Sequence, residues 1–75
     1  MITKEQALAA RFGTIFHHKH HWDSMGRPAK YRISGKCQTW KTRPREFRLP
    51  VKYGLYHSTA ITHENAHFWD IAEEG

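Results

Sequence analysis

Nine residues, Phe47 to Leu55, constrain this chain more than any other stretch. Apolar Phe47, Leu49, Val51, Tyr53 and Leu55 alternate there with Arg48, Pro50, Lys52 and Gly54. A period of two belongs to a strand with one face buried and the other wetted; it does not fit an amphipathic helix. Pro50 has no N–H to give a neighbouring strand, so the pattern predicts an edge strand or a bulged one. Both charged residues on the wetted side are basic. The sheet that forms here has an apolar face and a cationic one.

The flanking segments extend the sheet. Residues 29–42 read as a β-hairpin: Ala29-Lys30-Tyr31-Arg32-Ile33 alternates, Ser34-Gly35-Lys36 supplies a tight turn, and Cys37-Gln38-Thr39-Trp40-Lys41-Thr42 returns. A two-residue loop at that turn places Tyr31, Ile33, Gln38 and Trp40 on the core face. Lys30, Arg32, Cys37, Thr39 and Lys41 then lie on the opposite one. Thr14-Ile15-Phe16 runs into His17-His18-Lys19-His20-His21-Trp22, a strand with a polar far half. Alternation there puts His18 and His20 on one face and His17 and His21 on the other. Asp23 to Pro28 is turn chemistry, Arg43-Pro44 is a bend, and Tyr56 to Ile61 is a further short strand.

Helices are expected only at the ends. Thr3 is an N-cap, with Gln6 three residues on completing a capping box; Ala7 to Ala10 favour helix and Gly13 stops it. Near the other terminus Thr62 caps, Glu64 complements the dipole, Ala66 and Trp69 face the sheet, and Asp70 onwards frays. The expected class is α+β, mainly β: a small antiparallel sheet or SH3-like barrel of four or five strands with a short helix near each terminus. Residues 1–75 are expected to form a single domain, since no repeat, linker or low-complexity tract divides them.

Size and composition bound the function. Seventy-five residues give one modest core and marginal stability. A lone cysteine, Cys37, excludes an internal disulfide and a zinc site of several thiolates, and suits a reducing cytoplasm. The start, Met1-Ile2-Thr3-Lys4-Glu5, has no apolar signal core, and no apolar run approaches the ~18 residues of a membrane span. Cytoplasmic residence, no membrane contact and a monomer are the default expectations.

The net charge of +5 is unevenly placed. From Arg27 to Lys52 there are nine basic residues and one acid, Glu46, a local charge of +8; from Thr62 onwards there is no Lys or Arg, while Glu64, Asp70, Glu73 and Glu74 give −4. Such segregation produces a directional field that steers polyanions to one side. Within the basic stretch aromatic residues are interleaved: Lys30-Tyr31-Arg32, Trp40-Lys41-Thr42-Arg43, then Arg45, Arg48 and Lys52-Tyr53. Lys and Arg neutralise phosphates with release of counterions, and exposed rings stack on unpaired bases. The candidate nucleic-acid-binding residues are therefore Lys30, Arg32, Trp40, Lys41, Arg43, Arg45, Arg48 and Lys52. The ordinary alternatives are a solvated charged face for the cations and core packing for the rings.

Two histidine patterns suggest metal. His63-Glu64-Asn65-Ala66-His67 matches the H-E-x-x-H zinc motif, in which two imidazoles one helical turn apart bind the ion and the glutamate acts as base. Seven histidines in 75 residues make a chance match easy, and the motif brings no third ligand. His17, His18, His20 and His21 form a second cluster, with His57 available elsewhere; it also reads as a polar strand end that gains charge below about pH 6.5. Cys37 has no neighbouring acid–base pair and reads as a packed thiol. No catalytic residue and no cofactor is assigned, and the chain is not expected to be an enzyme.

Thr39-Trp40-Lys41-Thr42-Arg43-Pro44, then Glu46-Phe47-Arg48-Leu49-Pro50-Val51-Lys52-Tyr53-Gly54-Leu55, then Ile61-Thr62 with Glu64-Asn65-Ala66 and Trp69, form a distinctive set of blocks. The set is similar to short proteins of tailed bacteriophages that carry comparable T-W-K-T-R-P, F-R-x-P-V-K-x-G-L and I-T-x-E-N-A blocks. The resemblance covers about residues 39–69 and leaves the histidine-rich stretch outside it. It implies a phage origin and a bacterial cytoplasm, and it implies no activity. The leading expectation is a phage accessory protein that binds DNA or RNA non-specifically through the backbone. The alternatives are a module or inhibitor that captures an acidic surface of a host protein, and a histidine-based zinc-binding protein.

Overall fold

The alternating segment becomes the organising strand of the sheet. In the computed structural model, which describes residues 1–75, Arg43–Tyr53 forms one long strand, β4 in the chain order that follows. Helix α1 spans Lys4–Ala9; the strands are β1 (Ile15–His18), β2 (Tyr31–Ile33), β3 (Gln38–Trp40), β4, β5 (His57–Thr62) and β6 (Trp69–Glu73), with a 3-10 turn at Ala66–Phe68 before β6. All ladders are antiparallel. Their order is β6-β1-β2-β4-β5, with β3 on the same edge of β4 as β2 but further along it. The class is thus mainly β with one short helix. The six strands exceed the four or five expected, and no ladder joins β5 to β6.

Burial follows the alternation. Phe47, Leu49 and Val51 of β4 pack with Ile61, Phe16, Tyr31, Trp69, Ala66, Ala29, Ala7 and Ile2 in one core. Leu55, expected to continue the series, is fully exposed, because the chain turns at Gly54 with φ +64°. Helix α1 and the residue before its cap close one side of the core through Ala7 and Ile2. It starts as its capping box requires: the Gln6 N–H donates to Thr3 Oγ1 (3.1 Å) and the Thr3 N–H donates to Gln6 Oε1 (2.9 Å). The helix ends at Ala9, before Gly13, which instead serves a turn at φ +96°.

The segment 29–42 is not a hairpin about Ser34-Gly35. β2 and β3 run in the same direction along one edge of β4, Arg32 opposite Lys52 and Gln38 opposite Arg48. Ser34 to Cys37 form a break between them, and the reversal comes later, at Lys41-Thr42, between Trp40 and its partner Arg43. Gly35 does not adopt the positive φ that tight hairpin turns favour.

Pro50 explains why the break lies where it does. The Ser34 N–H donates to the Pro50 carbonyl (2.9 Å), so that side of Pro50 faces the break. A strand residue directs its N–H and C=O to the same side, and Pro50 has no N–H to satisfy. A break in the partner opposite Pro50 therefore leaves no N–H of Pro50 unpaired, and Pro50 sits in an inner strand beside an irregularity, not at an edge. Of the two expected settings, edge or bulge, it is the irregular one that is seen. Gly35 nestles on the pyrrolidine ring: a Cβ at that position would meet Pro50 Cγ at 3.1 Å.

The second helix is also corrected. Asn65 holds a turn, its Oδ1 accepting from the Thr62 N–H (2.8 Å) and its Nδ2 donating to the Ala60 carbonyl (3.0 Å). The chain then takes the short 3-10 turn and enters β6, which pairs with β1 from His18↔Trp69 to Ile15↔Glu73. Ala66 and Trp69 are buried as expected, but Trp69-Asp70-Ile71 alternates as a strand and does not fray.

Candidate nucleic-acid interface

Because the chain does not reverse at Gly35, odd-numbered positions stay on the core side from β2 into β3. Tyr31 is buried, while Ile33 and Cys37 are partly buried against the core. Even-numbered positions face outwards, and Gln38 and Trp40, expected on the core face, lie on the outer one, exposed. Cys37 takes the core side, and Thr39, opposite Phe47, turns the same way but stays exposed. Trp40 thereby joins the cations, on the same strand pair as Arg43.

Every proposed phosphate contact is exposed: Lys30, Arg32, Lys41, Arg43, Arg45, Arg48 and Lys52, as are Arg27 and Lys36. Registers place several of them. Arg32 stands opposite Lys52, and Lys52 opposite Ser58; Arg48 lies between Gln38 and Thr62 on the same outer face, one ladder step past Leu49. Lys41 occupies the β3–β4 turn, with Arg43 and Arg45 in the segment after it, where the register slips. From Arg43 to Lys52 the cations follow β4 over at most ~30 Å at ~3.3 Å per residue.

Few of these charges are neutralised within the molecule. Arg43 meets Glu46 at 3.4 Å, in an exposed pair separated by three residues, while the other carboxylate contacts involve His63 and the Met1 amino group. Strand order keeps the acidic end apart: Asp70 and Glu73 lie on β6, separated from β2 by β1 and from β4 by β1 and β2. At ~4.8 Å per strand the β6 backbone lies ~10–14 Å from those of β2 and β4. Neither Asp70 nor Glu73 forms an ion pair with a lysine or arginine, while Glu64 lies nearer β4, beside His63. Asp70 is held by the Met1 amino group, which lowers its carboxyl below the ordinary range.

The histidines do not assemble as the sequence suggested. The chain turns at Lys19-His20 after β1, so His18 stacks on His21 (centroids 3.8 Å, planes 9° apart) and on Phe68 (5.4 Å). Burial, then His21, then His20 lower the His18 pKa. His63 and His67 do not share a helical face, since turn and 3-10 backbone replaces the α-helix that the zinc motif requires. His63 Nε2 instead lies 3.6 Å from Glu46. No three His, Cys, Asp or Glu side chains converge as a metal site would need. Burial pushes the Cys37 thiol up, away from the reactive thiolate.

Sequence reading missed an aromatic cleft of about 480 Å³ beside the open end of β4. Trp22, from the turn after β1, lines it together with Tyr31, Tyr53 and His57. Trp22 is 57 % exposed, and Leu55 and Tyr56 stand free in the neighbouring β4–β5 turn. The available signal was Trp22, a large ring in an irregular segment between strands, where it has no core to enter. No helix is long and apolar enough to cross a membrane. No protein-family model, curated protein or solved structure matches the chain, so the site rests on its own chemistry.

Proposed function

We propose that this chain is a small accessory protein of a tailed bacteriophage that binds nucleic acid without sequence preference through the phosphate backbone. The observation that carries the reading is the set of exposed cations along β4 and β2, almost none of them paired with a carboxylate. Lys30, Arg32, Lys41, Arg43, Arg45, Arg48 and Lys52 neutralise phosphates, and Trp40, 42 % exposed beside the β3–β4 turn, offers a ring face to a base. The phage origin rests on the sequence blocks of residues 39–69, and residence in the host cytoplasm follows from it. Backbone contacts of this kind fix position and carry no base readout.

The test is fluorescence anisotropy of labelled single-stranded DNA, single-stranded RNA and duplex DNA across a salt series. One phosphate for each of these cations predicts that log K falls with log salt at a slope of about −5 on single strands and about −6 on duplex. Absence of binding to all three at low salt rejects the reading. It would direct attention to an acidic surface of a host protein, which the same cations suit.

A further inference from the structure

We infer that the cleft beside the β4–β5 turn is a subsite for one unpaired nucleobase, which gives the protein a preference for single strands. This rests on the phosphate-binding reading above and adds the part of the ligand that phosphates do not describe. At about 480 Å³ the cleft falls within the ~300–1,000 Å³ range of small-molecule sites.

Its lining selects a flat, hydrogen-bonding ring. Tyr31 is buried at its base, 5.8 Å from Tyr53, and Tyr53 in turn stacks on His57 (5.4 Å, planes 26° apart). Trp22 and His57 are exposed lining rings, so each has a face for a stacked base. The polar groups are weak donors and acceptors suited to base edges. Tyr31 Oη is bonded to His21 Nδ1 (2.9 Å), and burial and the Tyr53 neighbour raise the Tyr31 pKa, so the phenol keeps its proton. Asp23 also lines the cleft. One of its oxygens already accepts the Met25 N–H (2.8 Å) and the Arg27 N–H (3.0 Å), leaving the second for a base N–H or amino group.

Charge fixes the orientation. Asp23 repels phosphate from the cleft, while exposed Arg27 lies in the same loop, its backbone N–H donating to Asp23. An inserted base thus has a cation in the adjoining loop for a flanking phosphate, whereas Lys30 and Lys52 adjoin Tyr31 and Tyr53 in sequence but project from the opposite face of the sheet. The other two surface clefts lack this combination: one holds Glu74 and no aromatic ring, and the other is mainly apolar. A paired base in a duplex presents no free face to Trp22 or His57, so duplex binds through phosphates alone.

The experiment compares a labelled 12-residue single-stranded DNA with an abasic strand of the same length and phosphate count, at low salt. Wild-type protein is expected to bind the intact strand about tenfold tighter. Trp22→Ala and His57→Ala should each bring the intact strand down towards the abasic value and leave the abasic affinity unchanged; Trp22→Phe should retain most of the difference. Thermal melts of each variant establish that it is folded, and the two alanine variants lie in different segments. Equal affinity of wild-type protein for intact and abasic strands overturns the base subsite and leaves phosphate binding standing. Failure to bind either strand removes both.

Discussion

Arg32 and Lys52 face each other directly across the β2–β4 ladder, on the outer side of the sheet, and neither has a carboxylate within ion-pair distance. Like charges opposed in this way destabilise a sheet, and an opposite-charge pair contributes ~0.2–1 kcal/mol. The chain retains this repulsion, which phosphates bound under the proposed function would offset. Lys52→Glu is therefore expected to move two properties in opposite directions. Stability rises by up to ~1 kcal/mol, which in a domain of this size is a few degrees in melting temperature. Oligonucleotide affinity falls, and the salt slope loses at least one phosphate's share. Parallel melts and anisotropy titrations check both, and a variant that binds as tightly as wild type would remove Lys52 from the interface.

The contact between Gly35 and the Pro50 ring gives a second test. Gly35 does not have a positive φ, so alanine would gain ~0.4–1 kcal/mol by restricting the unfolded chain. Against this, its Cβ would meet Pro50 Cγ at 3.1 Å, and a rigid ring in an inner strand has little room to retreat. Overpacking of this sort costs ~1–3 kcal/mol, so Gly35→Ala is expected to destabilise by ~1 kcal/mol. In a Pro50→Ala background the same change should become neutral or favourable. A double-mutant cycle by urea unfolding measures the coupling; additive effects would show that ring and glycine do not press on each other.

The core strand was legible in the sequence because its alternation is long, and the first helix because Thr3 and Gln6 form a capping box with no competing use. The break at Ser34 to Cys37 was not legible, since Ser-Gly-Lys suits a hairpin turn and a bulge alike. Its discriminating residue, Pro50, lies in a different strand. That one misreading carried Gln38 and Trp40 to the wrong face. The end of the chain was ambiguous for a different reason: Ala66 and Trp69 fit a helical spacing while Trp69 and Ile71 fit a strand. The unpaired edge of β1, which takes the segment up, is known only once the sheet exists. The cleft escaped because Trp22, Tyr31, Tyr53 and His57 come from separate segments.

The β6 assignment has its own consequence at Glu73, an exposed position paired with Ile15 just past the bulge at Ala72. Threonine suits a strand better than glutamate and can gain up to ~1 kcal/mol there, whereas in a helix it would lose ~0.5 kcal/mol. Glu73→Thr is therefore expected to leave the urea midpoint unchanged or to raise it, with the same slope. A lowered midpoint would speak for the helical ending.

His18 ties stability to pH with a definite sign. Its ring is stacked between His21 and Phe68 and meets Trp69 edge-on at 4.9 Å, while its Nδ1 accepts the His20 N–H (3.1 Å). Burial is the main reason its pKa lies below the ordinary imidazole value, with His21 and His20 adding to the effect. The unfolded chain, with His18 near 6.5, takes up the proton first as pH falls. The stability that the neutral ring contributes is therefore complete above about pH 6.5 and is lost as pH drops towards the lower folded value. Melting temperature should fall from pH 7.5 to 5.5, and His18→Phe, which keeps a ring in the stack and removes the proton site, should flatten that fall. Melts of wild type and of His18→Phe at each pH read the trend. A wild-type melting temperature that does not change between these pH values would show that His18 keeps its ordinary pKa in the folded protein.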